Sequence, residues 1–295
     1  MTKGVPKGVG VALITPFKDD NSVDYNGLEK LLEHCIHGGV DYFVVNGTTA
    51  ENPTLTKVER YTILDFVIKK NAGRLPVVFG IGGNNTKAIV KEISTFNVAG
   101  VSALLSASPY YNKPTQEGIY QHYKALSEAS DLPIILYNVP GRTGSNIDAK
   151  TSLRLASEFE NIVAIKEASG DLDQITQLVL GRPVGFKIIS GDDNLTFAML
   201  GLGCDGVISV SGQGVPDVFC KVYDEAASGN WCASKAAHLS LFNLTNFLFA
   251  EGNPAGIKAV LELRGICNDH VRLPLVPATE ALKATIKAEL DHIYH

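Results

Sequence analysis

Short apolar runs alternate along the chain with longer stretches in which apolar residues recur at helical spacing. Each short run is apolar at nearly every position rather than at alternate ones, which is typical of parallel strands that helices cover. The eight predicted strands are residues 9–14, 42–45, 77–80, 101–105, 134–137, 162–165, 186–189 and 206–210. The pattern therefore predicts a largely parallel sheet.

The stretches between these runs predict amphipathic helices. Residues 24–37 place apolar side chains at helical spacing and end before Gly38, a common helix stop. Thr56 and Glu59, three positions apart, predict a capping box that starts the next helix. The other helices are predicted over residues 86–98, 115–129, 148–159, 172–179, 195–200 and 216–227. Eight strand–helix units in series predict an α/β protein with a (β/α)8 barrel, the TIM barrel.

The chain continues beyond the eighth unit. Residues 231–250, 254–265 and 279–294 predict three further helices, with no linker of Ser, Pro or Gly before them. We therefore predict a barrel over residues 1–230 and a C-terminal helical region over 231–295 that packs on it. The length of 295 residues fits one barrel, which needs about 250 residues, plus this region.

Composition and charge narrow the function classes. A chain that is 45% hydrophobic and 19% charged belongs to neither the disordered nor the fibrous class. The net charge of -5 argues against nucleic acid or an anionic membrane surface as a partner. No apolar run approaches the roughly 18 residues of a membrane span. Residues 1–6 lack a charged region followed by an apolar stretch, so we expect no signal peptide and a cytoplasmic protein.

The cysteines predict neither disulfides nor a metal site. The five are scattered and include no CxxC pair: Cys35, Cys204, Cys220, Cys232 and Cys267. We expect buried, reduced thiols. Asp192 and Asp193 suggest a metal at first sight, but helix N-capping before Leu195 is favoured.

Candidate chemistry lies where the strands end, because these positions line the active face of such a barrel. Lys166 directly follows the sixth apolar run, so we expect it at the end of a dry strand. Burial disfavours the charged form of an amine, and a neutral amine can attack a ketone to form a Schiff base. The alternative is a structural lysine paired with Glu167 or another acid.

Hydroxyl and guanidinium groups stand at other strand ends. Thr48, Tyr111 and Tyr137 suit a Schiff-base mechanism, which needs several proton transfers at one carbon, although each alone could simply satisfy a strand end. Arg142 could hold a substrate carboxylate bidentately or form a surface ion pair. The backbone N–H groups of Thr48 and Thr49 could bind a second carboxylate as an anion nest.

Several strings along the chain carry a family resemblance. They are GTTAE at 47–51, SPYYN at 108–112, YNVPGRTG at 137–144, IKEA at 165–168, SGDD at 190–193, GVIS at 206–209, and Asn253-Pro254 with Lys258. In this order they resemble the dihydrodipicolinate synthase/N-acetylneuraminate lyase family, from about Gly8 to the Leu273-Pro274-Leu275 stretch. The resemblance implies a TIM-barrel lyase of the class I, Schiff-base type.

The resemblance also assigns catalytic roles. Lys166 would bind pyruvate covalently, with no other cofactor and no metal, and Tyr137 would donate and accept protons. Thr48 and Tyr111 would complete a proton relay, with Tyr111 reaching in from a neighbouring subunit. The family therefore implies a homotetramer built as a dimer of dimers, or a homodimer.

Substrate binding follows from the same resemblance. Thr49 and the backbone of Ile208 would hold the pyruvate carboxylate, Gly191 would line the pocket, and Arg142 would take the carboxylate of the second substrate. The string GRTG at 141–144 is similar to the branch that condenses pyruvate with L-aspartate 4-semialdehyde to 4-hydroxy-tetrahydrodipicolinate, in lysine and diaminopimelate synthesis. The alternative is a related 2-keto acid aldolase such as N-acetylneuraminate lyase. A metal-dependent aldolase or hydrolase and a non-enzymatic ligand-binding protein are the rivals from other classes.

The sequence also departs from the family pattern. Ala50 and Asn52 replace a common glycine and serine close to Thr48. Lys57, Arg60 and Ala88 stand where lysine-inhibited relatives commonly carry histidines and a glutamate. Two cations would repel a lysine ammonium group, so we expect weak or absent feedback by lysine.

Overall fold

Eight parallel strands close into a barrel in chain order, in a computed structural model that describes residues 7–294. The strands are β1 Gly8–Ala12, β2 Tyr42–Val45, β3 Val77–Gly80, β4 Ala103–Ala107, β5 Ile134–Asn138, β6 Ile162–Glu167, β7 Lys187–Ser190 and β8 Gly206–Ser209. The predicted (β/α)8 barrel is confirmed. The signal-peptide prediction falls on residues 1–6, outside the described part of the chain.

Burial explains the uniformly apolar runs. Every residue of β1, β2, β3, β5 and β8 is buried, because both faces of these strands are covered. The predicted strands are confirmed with shifts of one or two residues at their ends. Two shifts matter: β4 runs from Ala103 to Ala107, and β6 continues past Ile165 to include Lys166 and Glu167.

Helices follow the strands as predicted, and the described residues form thirteen of them. They are α1 Tyr25–His37, α2 Lys57–Asn71, α3 Thr86–Thr95, α4 Gln116–Ala129, α5 Pro140–Thr143, α6 Ala149–Glu158, α7 Leu172–Gly181, α8 Thr196–Leu202, α9 Pro216–Ala227, α10 Trp231–Ser240, α11 Phe242–Ala250, α12 Ala255–Leu263 and α13 Glu280–Tyr294. The capping box of Thr56 and Glu59 at the start of α2 is confirmed, as is Gly38 at the end of α1.

The single helix predicted over residues 231–250 is wrong, because the structure has α10 and α11 there. The break falls at Leu241, which caps both helices, with a φ of -98° and a ψ of -5°. Its N–H bonds to the carbonyl of His238, three residues back, so the chain tightens and turns. Leu241 is apolar and a good helix former, and the sequence therefore gives no sign of the turn.

The described residues pack into two compact units. One comprises Lys7 and Pro76–Ile208, with β3 to β7, all of β8 except Ser209, and α3 to α8. The other comprises Gly8–Leu75 and residues 209–294, with β1, β2 and the remaining helices. The boundary at residue 230 stays a prediction. No helix among residues 7–294 combines the length and apolar character that a membrane crossing requires.

The C-terminal helices pack closely inside the second unit. A Cβ on Gly256 of α12 would lie 2.4 Å from the carbonyl oxygen of Leu248 in α11, so only glycine permits this approach. The hydroxyls of Ser211 and Thr245 also form a buried hydrogen bond of 3.1 Å, which joins α11 to the turn after β8.

Candidate active site

Lys166 and Tyr137 lie side by side on neighbouring strands. They are register partners in the β5–β6 pair, and the Lys166 Nζ lies 4.5 Å from the centre of the Tyr137 ring. Lys166 is only 5% exposed. Within residues 7–294 its amine forms neither an ion pair nor a hydrogen bond. Buried lysines are rare unless paired, so this amine stands out as a candidate nucleophile.

The alternative pairing of Lys166 with Glu167 does not occur. Successive side chains of a strand point to opposite faces, so Glu167 faces away from Lys166. Its carboxylate accepts hydrogen bonds from Asn138 Nδ2 at 3.0 Å, Gln174 Nε2 at 3.0 Å and the Ser169 N–H at 2.7 Å. Burial raises the pKa of Glu167, against the lowering effect of these hydrogen bonds.

Gly191 makes room for the Lys166 side chain. It follows β7, and its N–H donates to the Glu167 carbonyl at 2.8 Å. A Cβ at this position would lie 2.9 Å from Lys166 Cε and 2.8 Å from Ala168 Cβ, closer than such atoms approach. The structure thus brings Lys166, Tyr137 and Gly191 together, as the sequence analysis expected.

Tyr111 and Arg142 belong to linked segments. The Tyr111 N–H donates to the Thr143 carbonyl at 3.3 Å, and Arg142 is an exposed residue of α5. Tyr111 is 91% exposed and has a φ of 65°. A bulky side chain in this left-handed region is strained, and such strain clusters at functional sites. Arg142 lies in a short helix that begins at Pro140.

Thr48 and Thr49 open a 3-10 turn of the second unit, Thr48–Ala50. Among the described residues, their backbone N–H groups have no acceptor, as an anion nest requires. The Thr49 hydroxyl oxygen accepts from Asn253 Nδ2 at 2.9 Å, which leaves its own hydrogen for another acceptor. Asn253 entered the sequence analysis only as part of a motif, so this contact was missed.

A buried ion pair supports the same loop. Glu51 has a φ of 57°, and its carboxylate lies 2.5 Å from Lys258 Nζ, with both side chains 0% exposed. Lys258 also donates to the His270 carbonyl at 2.7 Å, and the second Glu51 oxygen accepts from the Arg272 N–H at 2.9 Å. Burial lowers the pKa of Lys258, and the charge of Glu51 opposes that shift. No local pattern in the sequence points to this pair, whose members are 207 residues apart.

Ile208 is buried in β8, where the sequence analysis expected its backbone to bind a carboxylate. The N-capping prediction for Asp192 is confirmed, since its side chain accepts from the Asn194 N–H at 3.0 Å. Among residues 7–294 no three His, Cys, Asp or Glu side chains cluster as metal ligands.

The cysteines are free thiols. Burial raises the pKa of Cys204, Cys220 and Cys267 to about 12, so these thiols resist ionisation. Cys35 is also buried, whereas the prediction of burial is wrong for Cys232, which is exposed.

The chain is similar to known proteins over nearly its whole length. A model of the dihydrodipicolinate synthetase family matches residues 5–293. The 4-hydroxy-tetrahydrodipicolinate synthase of Parabacteroides distasonis is 51% identical over 271 residues, covering 92% of this chain and 91% of that protein.

Two crystal structures have the same fold. The dihydrodipicolinate synthase of Thermotoga maritima matches with a TM-score of 0.95 at 40% identity, over 98% of each chain. The chloride-inhibited dihydrodipicolinate synthase of Acinetobacter baumannii, complexed with pyruvate, matches with a TM-score of 0.94 at 38% identity. That match covers 98% of this chain and 99% of the other.

Proposed function

The chain belongs to the dihydrodipicolinate synthetase family, and from this we propose that it condenses pyruvate with L-aspartate 4-semialdehyde to 4-hydroxy-tetrahydrodipicolinate. Relatives that cover most of the chain carry the synthase name, which favours this reaction over cleavage of a sugar-derived 2-keto acid. The solved relative complexed with pyruvate supports pyruvate as the first substrate. The product belongs to lysine and diaminopimelate synthesis, and we place the enzyme in the cytoplasm.

The observation that carries the proposal is the buried, unpaired amine of Lys166 beside the Tyr137 ring. The lone pair on Nζ attacks the C2 carbonyl of pyruvate, and the resulting carbinolamine loses water to form an imine. Loss of a C3 proton converts the imine into an enamine, whose C3 attacks the aldehyde carbon of the second substrate. Tyr137 supplies and removes the protons in these steps, by analogy with the family and because its ring packs against the amine.

The proton relay extends from Tyr137 to Thr48 and Tyr111 by analogy with the family. Its Tyr111 member comes from a neighbouring subunit, and the 91% exposure of Tyr111 suits a residue that a second copy would cover. We therefore propose at least a homodimer, and a homotetramer built as a dimer of dimers as the family implies.

The two carboxylates of the substrates have separate binding groups in this proposal. The Thr49 hydroxyl, whose oxygen already accepts from Asn253, donates to the pyruvate carboxylate together with the backbone at Ile208. Gly191 lines the pocket beside Lys166. Arg142 is exposed on α5 and binds the carboxylate of the aldehyde substrate.

Reductive trapping tests the mechanism. The protein is incubated with pyruvate, reduced with borohydride and digested, and the peptide that contains Lys166 is weighed. We expect an Nε-(1-carboxyethyl) adduct on Lys166, none in Lys166→Arg, and an unchanged adduct in Lys187→Arg, which alters another partly buried lysine. If the adduct forms, but the unreduced enzyme turns pyruvate over with a sugar-derived aldehyde and not with L-aspartate 4-semialdehyde, the protein belongs to the alternative branch. Absence of any adduct overturns the Schiff-base mechanism.

A further inference from the structure

A buried polar network lies behind Lys166 and Tyr137, on the side of the strands that faces the helices. Its centre is Glu167, which is 0% exposed, as is its neighbour Asn138. Asn138 Nδ2 lies 3.1 Å and 3.0 Å from the two carboxylate oxygens of Glu167. Gln174 of α7 and the Ser169 N–H complete the set of donors.

The network lies one residue from the reactive pair. In the β5–β6 register Tyr137 faces Lys166, and the next pair is Asn138 with Glu167. Because neighbouring residues of a strand point to opposite faces, the amide–carboxylate contact secures the strand ends from behind while the reactive groups meet in front. A displacement at the second pair is therefore passed directly to the first.

The same network reaches the segment that carries Arg142. Asn138 Oδ1 accepts from the Ile147 N–H at 2.9 Å, and Asn138 Nδ2 also donates to Asn146 Oδ1 at 2.7 Å. These contacts fix the far end of the chain between β5 and α6. One amide side chain thus connects the strand of Tyr137, the strand of Lys166 and the segment of Arg142.

The composition of the network is unusual for a merely structural contact. The partners of Glu167 are uncharged amide and hydroxyl groups, and within residues 7–294 no cation pairs with it. A buried carboxylate without a cation is costly compared with an apolar side chain of similar size. The carboxylate oxygens of Glu167 accept hydrogen bonds from three separate segments, those of Asn138, Ser169 and Gln174. An apolar side chain could not hold these segments together.

We propose that Glu167 and Asn138 are positioning residues that hold Lys166 against Tyr137 and fix the segment of Arg142. The inference rests on the proposed Schiff-base function, since it assigns the network a role in that reaction. Neither residue touches the substrate in this proposal. Their effect comes entirely through the register and orientation of β5 and β6.

A donor–acceptor exchange tests the proposal. Glu167→Gln points an amide NH2 at donors, and Asn138→Asp places two carboxylates together, so each single change disrupts the contact. The double variant Asn138→Asp/Glu167→Gln restores one donor and one acceptor in reversed positions. We expect each single variant to lower kcat and the rate of borohydride trapping by about 10- to 100-fold, with a smaller change in KM for pyruvate. The double variant should recover most of the loss.

The control lies at the other end of the same strand. Asn161 precedes β6 and joins it to α4 through hydrogen bonds to Ser127 and Ser130. Asn161→Ala removes a comparable set of contacts about 16 Å of strand away from Lys166. We expect it to lower the melting temperature while kcat and the trapping rate stay near those of the unaltered protein.

The outcomes separate the inference from the proposed function. Folded single variants with unchanged kcat and trapping overturn the inference, as does an equal loss of kcat in Asn161→Ala. If the single variants do not fold, Gln174→Leu removes the α7 donor to Glu167 together with the hydrogen bonds between Gln174 and Asn146, and an unchanged kcat in that variant also overturns the inference. If the unaltered protein forms no pyruvate adduct, the proposed function itself fails.

Discussion

Replacing Lys258 with methionine removes one charge of an ion pair in which both side chains are fully buried. The Lys258 Nζ lies 2.5 Å from the Glu51 carboxylate and 2.7 Å from the His270 carbonyl oxygen. Methionine has a similar shape, so the change leaves little cavity. After the change, the Glu51 carboxylate has lost its counter-charge and keeps the hydrogen bond from the Arg272 N–H.

The expected magnitude follows from the uncompensated charge. Removing one partner of a buried ion pair costs about 3–5 kcal/mol of unfolding free energy. Since whole domains are stable by only about 5–15 kcal/mol, this is a large fraction of the total. We expect urea-induced unfolding at fixed protein concentration to show this loss, and the melting temperature to fall by about 10 °C. The loop of Thr48 and Thr49 should loosen as well, so KM for pyruvate should rise.

A control variant at a surface ion pair and a double variant at the buried pair test this explanation. Lys70 forms a surface ion pair with Glu29 at 2.6 Å, with the side chains 35% and 42% exposed, and Lys70→Met should cost only about 0–1 kcal/mol. The double variant Lys258→Met/Glu51→Gln removes both charges and should be more stable than Lys258→Met alone. A loss in Lys258→Met no greater than in Lys70→Met, or a double variant less stable than the single, would refute the reasoning.

Four further predictions concern the site, the pH dependence and the assembly. Gly191→Ala should lower kcat by about 10-fold or more, because the new Cβ crowds Lys166. The control Gly201→Ala, whose Cβ would meet nothing within 4 Å, should leave kcat unchanged. Equal rates in the two variants would contradict this prediction. Burial lowers the pKa of His122 from 6.5 to about 4, so its contribution to stability is present above pH 6.5 and is lost as the pH falls towards 4. Chemical unfolding should show about 2 kcal/mol of this loss between pH 7 and pH 5, and His122→Gln should remove that part of the slope. If Tyr111 acts across a subunit interface, mixing refolded Lys166→Met and Tyr111→Phe chains should restore about a quarter of full activity, and no recovery would place Tyr111 in its own subunit. L-lysine at sub-millimolar concentration should leave the steady-state rate largely unchanged, and half-inhibition there would disprove the expected lack of feedback.

Much of the fold could be predicted because a strand that is covered on both faces leaves a local mark in the sequence, a run of apolar residues. The apolar runs at Tyr42–Val45 and Val77–Gly80 coincide with β2 and β3, since strands covered on both faces have no polar positions. The turn at Leu241 could not be predicted, because leucine is a good helix former and is not a typical turn residue. Helix breaks of this kind depend on the packing around them.

Some features of the candidate site could likewise be predicted from the sequence, and others could not. Lys166 could be identified because a lysine is conspicuous at the end of an apolar run. The failure of Glu167 to pair with it follows from strand alternation, which the sequence analysis did not apply to this pair. Glu51 and Lys258 are 207 residues apart, so no local pattern could join them. The left-handed backbone of Tyr111 is equally hidden, because tyrosine has no intrinsic preference for it.

The contacts around Glu51 also bear on the order in which the protein matures during synthesis. The loop that carries Thr49 leaves the ribosome more than 200 residues before its partners Asn253, Lys258 and Arg272. A nascent chain that ends at residue 250 already contains all eight strands, but Glu51 lacks its counter-charge and Thr49 its amide. We therefore expect the loop to acquire its final conformation only after these partners have emerged, so that shorter nascent chains carry Lys166 and Tyr137 before the loop of Thr49, which we propose to bind the pyruvate carboxylate, is complete.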